Sequence, residues 1–147
     1  MKPVVLGSGE GERIQLGQSS AVIKAGVETT GGRFALLETT LEPRFPGPKP
    51  HVHSETLDMF FVLKGTLTMQ LGEQTLDLPA GSFVLVPPGT AHTFSNRTDQ
   101  PVRLLNMDAP AGLEGYLCEM AGAMADHPTD PAAISEIASR YDIAAAE

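Results

Sequence analysis

An all-β fold of many short strands, followed by two helices, is what this sequence predicts. Three observations lead there. From Asp58 to Met107 the chain falls into short runs rich in Val, Leu, Phe and Thr, punctuated by Gly and Pro. Apolar and polar residues alternate within them, as in Thr66-Leu67-Thr68-Met69-Gln70-Leu71, which puts Leu67, Met69 and Leu71 on one face. Beyond Asp108-Ala109-Pro110 the period changes, and Leu113, Tyr116, Leu117, Met120, Ala121 and Met124 recur at helical spacing.

Taken in order, Gly7 to Gly17 is rich in Gly and Glu and reads as an exposed arm. Ser20 to Ala25 is the first strand, and Gly31-Gly32 is a turn before a second strand from Arg33 to Leu41. Pro43, Pro46, Pro48 and Pro50 remove backbone donors, so the segment between them is a loop. Phe60 to Leu63 runs into the turn at Lys64-Gly65. Turns at Gly72-Glu73-Gln74 and Pro79-Ala80-Gly81 bracket a strand from Thr75 to Leu78. Ser82 to Val86 is a strongly β-prone run stopped by Pro87-Pro88-Gly89, and His92 to Ser95 and Pro101 to Met107 complete the set. Phe60, Val62, Leu67, Met69, Phe83, Leu85 and Phe94 are expected to line the interior. In the second helix Thr129 or Asp130 is the cap, Pro131 holds the first position, and Ile134, Ile137, Ala138 and Tyr141 form an apolar stripe. Both helices are expected to cover one sheet or one mouth of the fold.

A chain of 147 residues suits one domain, 1–147, with a β core at about 20–108 and a helical segment at about 110–143. The formal charge is −8, from 18 acids against 10 bases, without any basic run. Nucleic acid and anionic membrane surfaces are therefore poor partners. No apolar run approaches the ~18 residues of a membrane span, and Met1 to Gly7 is too short in apolar residues for a secretory signal. Cys118 is the single cysteine, which excludes an intrachain disulfide, so the cytoplasm is the expected compartment. Scarce Lys and low charge density leave an apolar surface that suits a homo-oligomer.

The chemistry concentrates in two runs. Three of the four histidines, His51, His53 and His92, fall within them. On a strand His51 and His53 point to one side, and Asp58 shares parity with the core-facing Phe60 and Val62. His92 pairs in the same way with Phe94. A His-X-His pair alone fits a solvated face, and a lone histidine after Pro-Pro-Gly fits a turn. Together, three imidazoles and a carboxylate converging in an apolar space are costly to desolvate unless a cation joins them, and a divalent transition metal is suited to that set. Glu55 is a competing carboxylate if the strand continues past Ser54, and an exposed loop acid if it does not. His127 lies outside both runs and reads as an exposed loop residue.

The two runs resemble the paired motifs of the cupin superfamily. The first is commonly His-X-His, three or four residues, Glu, six residues, Gly; here His51, His53, Asp58 and Gly65 keep the spacing, with Asp in the Glu place. The second is Gly, five residues, Pro-X-Gly, two residues, His, three residues, Asn, and Gly81, Pro87, Gly89, His92 and Asn96 match every position. Pro46 stands where the first motif usually has a glycine. The likeness covers roughly Val4 to Ile143, and in overall layout the chain resembles small one-domain bacterial cupins related to quercetin dioxygenase.

It implies a double-stranded β-helix, a jelly-roll barrel with C-terminal helices. Inside its mouth would sit one divalent transition metal (Fe, Mn, Ni, Co or Zn) held by His51, His53, Asp58 and His92. Asp58 is about one methylene, ~1.5 Å, shorter than Glu, and either ligates directly or holds a metal-bound water. Asp58 or Glu55 is then the acid–base group. Asn96 and the glycines are structural. The implied activity is a metal-dependent dioxygenase on a small apolar, aromatic or enol-type substrate. A non-oxidative cyclase, isomerase or lyase and a binding module without turnover are the alternatives. The resemblance also implies a homodimer, often with exchanged N-terminal strands.

Overall fold

The computed structural model describes residues 1–126 and 130–146. Strands are numbered in chain order. A six-stranded antiparallel sheet has the order β1 (Glu12–Leu16), β2 (Ser19–Ala25), β3 (Ala35–Leu41), β10 (Val102–Ala109), β5 (Leu57–Lys64), β8 (Phe83–Val86). A five-stranded sheet facing it has the order β11 (Ala144–Ala145), β4 (His51–Val52), β9 (His92–Ser95), β6 (Thr66–Leu71), β7 (Gln74–Pro79). A short helix α1 (Val27–Thr30) precedes β3, and α2 (Leu113–Asp126) and α3 (Pro131–Ala138) follow β10. This is the all-β jelly roll with C-terminal helices that the sequence predicts.

The two sheets do not close into one hydrogen-bonded barrel, which corrects that part of the expectation. They are joined instead by the side chains between them. One reason lies at β8, which has four residues and runs into Pro87-Pro88, where two successive residues lack an N–H to extend a ladder. Between the sheets Leu41, Phe60, Val62, Leu67, Met69 and Val102 are completely buried or nearly so. A second cluster, Ile14, Ala21, Ala35 and Leu37, is covered by Leu117 and Ala121 of α2.

Two further expectations are corrected here. Phe83 and Leu85 do not line the interior: Phe83 is 58% and Leu85 47% exposed, while Val84 and Val86 are buried. Val84 pairs with Phe60 and Val86 with Asp58, so the inward parity of β5 settles that of β8. Four apolar residues in a row carry no such information. The stretch read as an exposed arm also contains β1, which pairs with β2 along its whole length because Ile14 packs against Ala21 and Leu37.

Two connections bear on the site. Asn96 is buried and ties its own β9–β10 connection to the end of β3: Nδ2 donates to the carbonyls of Leu41, Glu42 and Gln100, and Oδ1 accepts from the Thr98 backbone and hydroxyl. Gly47 has φ 82°, and a Cβ there would strike the Phe94 carbonyl oxygen, so glycine lets the proline-rich loop cross β9. Asp130 caps α3, its Oδ1 accepting from Ala132 and Ala133 with Pro131 at the first position. Thr129 and His127 lie outside the described residues. Among the described residues no helix is long and apolar enough to cross a membrane.

Candidate metal centre

His51 and His92 are direct cross-strand partners on β4 and β9, with ring centroids 4.5 Å apart. His53 follows the end of β4, and its ring stands 5.1 Å from each of the other two. Asp58 arrives from the opposite sheet, on the inward face of β5 with Phe60 and Val62. All four side chains are buried, and one ligand-capable atom from each lies within 4.8 Å of the others. The alternation that groups two histidines and an acid by parity thus delivers them to one space between the sheets.

The outer hydrogen bonds set what these rings present. Nδ1 of His51 faces the Lys49 carbonyl at 3.0 Å, Nδ1 of His53 the Asp142 carbonyl at 2.6 Å, and Nδ1 of His92 the Thr90 carbonyl at 3.0 Å. A carbonyl oxygen only accepts, so each Nδ1 carries the proton and donates. In the neutral ring the lone pair is then on Nε2. His92 Nε2 lies 2.9 Å and His53 Nε2 3.5 Å from Asp58 Oδ2. Acceptor therefore faces acceptor, and a cation, either a proton or a metal ion, is required between them. Three Nε2 atoms oriented by second-side hydrogen bonds, with one carboxylate, form the donor set that mononuclear transition-metal sites use.

The charges respond accordingly. Burial, reinforced by the neighbouring imidazoles, lowers the pKa of His51 against the upward pull of its Lys49 contact. At His53 burial also opposes the charged form, but hydrogen bonds to Asp58 and to the Asp142 carbonyl outweigh it and raise the pKa. Burial works against the charge on Asp58 too, but its hydrogen-bond contacts with His53, His92, Asp108 and Asn106 outweigh it and hold the carboxyl well below the usual carboxylate range. The two histidine contacts are those that need a proton or metal ion between the partners.

Glu55 does not join this group. Strand β4 stops at Val52, and the Asp142 carboxylate gathers the next residues into a bend. It accepts from Ser54 N and Oγ at 2.7 Å each, Glu55 N at 2.9 Å, Thr56 N at 3.0 Å and Thr56 Oγ1 at 2.8 Å. The parity that would aim Glu55 inward is lost, and its side chain is exposed. Burial works against the charge on Asp142, but these donors outweigh it and hold the carboxyl below its ordinary range. Asp142 has no sequence signal, because it acts across more than 80 positions of chain.

Three of the four groups, His51, His53 and Asp58, line a cavity of about 300 Å³ whose other walls include Phe45, Phe94, Leu113, Tyr116, Met120 and Ile143. Helix α2 and the C-terminal segment roof it. Two polar residues on β10 complete the wall: Asn106, whose Nδ2 donates to Asp58 Oδ1 at 2.7 Å and to the Met59 carbonyl at 3.0 Å, and Asp108. Asp108 pairs directly with Asp58 across β10 and β5 and is 2% exposed. Burial first, then the facing Asp58 carboxylate and the hydrogen bond shared with it, push its pKa well up. Sequence reading missed both residues. Their shared parity with the core residue Leu104 on a strand-like run was the signal available.

Comparison with known proteins agrees with this geometry. A cupin domain model matches residues 37–108, which span both motif runs. The chain is 31% identical over 146 residues to quercetin 2,3-dioxygenase of Bacillus subtilis, a match that takes in 98% of the chain. It spans 42% of that relative's length. Among solved structures, KdgF from Halomonas sp. superposes with a TM-score of 0.65 at 15% identity, over 78% of this chain and 99% of the other. The polyketide cyclase RemF from Streptomyces resistomycificus gives 0.63 at 22% identity, over 74% and 79%. These two likenesses concern the fold alone. With both motifs, the facing sheets and the buried His-His-Asp-His group in one chain, this protein belongs to the cupin superfamily.

Proposed function

We propose that the chain is a metal-dependent dioxygenase acting on a small aromatic or enol-type substrate, with His51, His53, Asp58 and His92 as the metal ligands. One observation carries this: a buried group able to hold a metal opens directly onto an apolar cavity of about 300 Å³, at the small end of the range for small-molecule sites. The similarity to quercetin 2,3-dioxygenase supports it. A bound Fe, Mn, Ni or Co ion supplies Lewis acidity and a place for oxygen chemistry beside the substrate. The chain's own residues then have three tasks. The histidines present Nε2 atoms fixed by their backbone contacts, Phe45, Phe94 and Tyr116 hold the apolar body, and α2 keeps water out. Asp58 is engaged by Asn106 and His92 and held below the usual range, so it serves better as a ligand than as a proton acceptor at neutral pH.

The same donor set fits a second reading, a non-oxidative cyclase, isomerase or lyase in which the metal only polarises a carbonyl. Oxygen-electrode measurements on protein reconstituted with each metal separate the two. Uptake of O2 with a flavonol or a catechol-like compound is the expected result. Conversion without O2 uptake would replace the first reading by the second, and binding without conversion would remove both.

We also propose a homodimer formed through the outer face of the six-stranded sheet. Phe61 (41% exposed) and Phe83 are cross-strand partners there, flanked by Leu63 (39% exposed) and Leu85, a grouping that monomers rarely leave uncovered. Light scattering is expected to give twice the 15.5 kDa chain mass for the wild type and the single-chain mass for Phe83→Glu. A monomeric wild type would remove the proposal.

A further inference from the structure

We propose that Asn106 selects the substrate, its side-chain oxygen Oδ1 accepting a hydrogen bond from a hydroxyl group on an otherwise apolar, aromatic ligand in the cavity. This rests on the small-molecule reading of the cavity given above. Two contacts set the orientation of the amide. Nδ2 meets Asp58 Oδ1 at 2.7 Å and the Met59 carbonyl at 3.0 Å. Both partners are acceptors, so the nitrogen must stand there and Oδ1 must point the other way. Among the described residues no group donates to Oδ1. The one unpartnered side-chain nitrogen or oxygen that is sealed off is Asp108 Oδ1, so Asn106 Oδ1 keeps accessible surface. That surface faces the cavity, because Asn106 lines it and shares the inward parity of the buried Leu104 and Asp108. Its register partner on β3 is Leu37, which brings no donor.

An amide oxygen only accepts. The roof opposite is Leu113, Leu117 and Met120, and Ser19, another wall residue, already donates its hydroxyl to the Leu16 carbonyl. A ligand filling the space strips Oδ1 of solvent and must return a donor, because an oxygen buried without a partner is costly. The place of that donor is fixed. With Nδ2 2.7 Å from Asp58 Oδ1, the amide oxygen lies within about 5 Å of the same carboxylate atom. A hydroxyl that reaches it is held beside the metal-binding group while the apolar body lies under α2. A methyl ether of the same ligand keeps the oxygen but has no proton to give. Sites built to pair with a hydroxyl discriminate strongly against analogues that cannot make the bond.

The test compares 2-naphthol with 2-methoxynaphthalene, which share an apolar ring system and differ in the hydroxyl proton. Affinities are read from probe fluorescence on the full chain, both Zn(II)-loaded and stripped of metal. The metal-free wild type is expected to prefer 2-naphthol about tenfold, and Asn106→Leu to lose that preference. The metal-free comparison removes whatever a naphthol oxygen on zinc contributes, and the drop on substitution should be equally large with zinc bound. Loss of the Nδ2 contacts alone would weaken both probes alike, so an unchanged ratio in Asn106→Leu would overturn the proposal. Equal binding of the two probes by the metal-free wild type would overturn it as well. If Asn106→Leu does not fold, a crystal structure of the wild type with 2-naphthol decides. A hydroxyl within about 3.2 Å of Oδ1 supports the proposal, and a hydroxyl placed elsewhere overturns it. If the wild type binds the probes but holds no zinc, the metal-dependent reading fails, and the ratio still decides the role of Asn106. Binding of neither probe, with or without zinc, would overturn the cavity reading and this proposal with it.

Discussion

Alanine at His92 is expected to abolish metal binding, taking the content of reconstituted protein from about one ion per chain to background. His92 is the most enclosed of the four groups, and its Nε2 approaches Asp58 at 2.9 Å while Nδ1 is anchored on the Thr90 carbonyl. Removing it deletes one of three fixed lone pairs. Its cross-strand partner His51 and the carboxylate of Asp58 are left spanning a gap that no nearby side chain fills. His53→Ala should act similarly. Asp58→Ala is expected to weaken binding by at least about a hundredfold, and Glu55→Ala to leave it unchanged, because Glu55 is exposed and its backbone is drawn away by Asp142. Elemental analysis after dialysis against each metal reads all four variants. Metal loss in Glu55→Ala with retention in Asp58→Ala would show that the carboxylate has been assigned to the wrong residue.

How far this site was legible depended on parity. Alternation along Asp58 to Val62 and the spacing of His51, His53 and His92 put the four groups on inward faces, and inward faces meet wherever two sheets pack. Where alternation was missing the reading failed. Phe83-Val84-Leu85-Val86 is apolar throughout, and only its pairing with β5 decides which two side chains enter the core. At Glu55 two readings stood open, and the choice depended on whether the strand continued past Ser54; a residue far along the chain ends it and leaves Glu55 an exposed loop acid. Asp108 was within reach of the parity rule, two steps from Asn106 and four from Leu104, but its significance comes from facing Asp58 across two strands. Long-range partners of this kind leave no local pattern.

Asp142 is the case where such a partner has the largest consequence, and its replacement gives the second expected result. Asp142→Ala should lower stability by about 2 kcal/mol and weaken metal binding by about 10- to 100-fold. The carboxylate accepts five hydrogen bonds from Ser54, Glu55 and Thr56, three of them from backbone N–H groups. Charge-assisted bonds of this type are individually strong, but the bend is partly open to solvent, and water recovers some of them after the substitution. That limits the loss to about 2 kcal/mol rather than the sum of five bonds. The effect on metal comes through His53. Its Nδ1 donates to the carbonyl of the same residue 142 at 2.6 Å, so Asp142 holds the loop on both sides of the ring: side chain on residues 54–56, main chain on His53 itself. Without the carboxylate the bend relaxes and Nε2 of His53 is no longer directed at Asp58. Asp142→Asn retains one acceptor oxygen and should fall between wild type and alanine on both counts. Thermal melts and zinc competition with a chelator measure the two effects separately. Loss of stability with unchanged zinc affinity would mean that Asp142 fastens the C-terminal segment to the sheet without orienting His53.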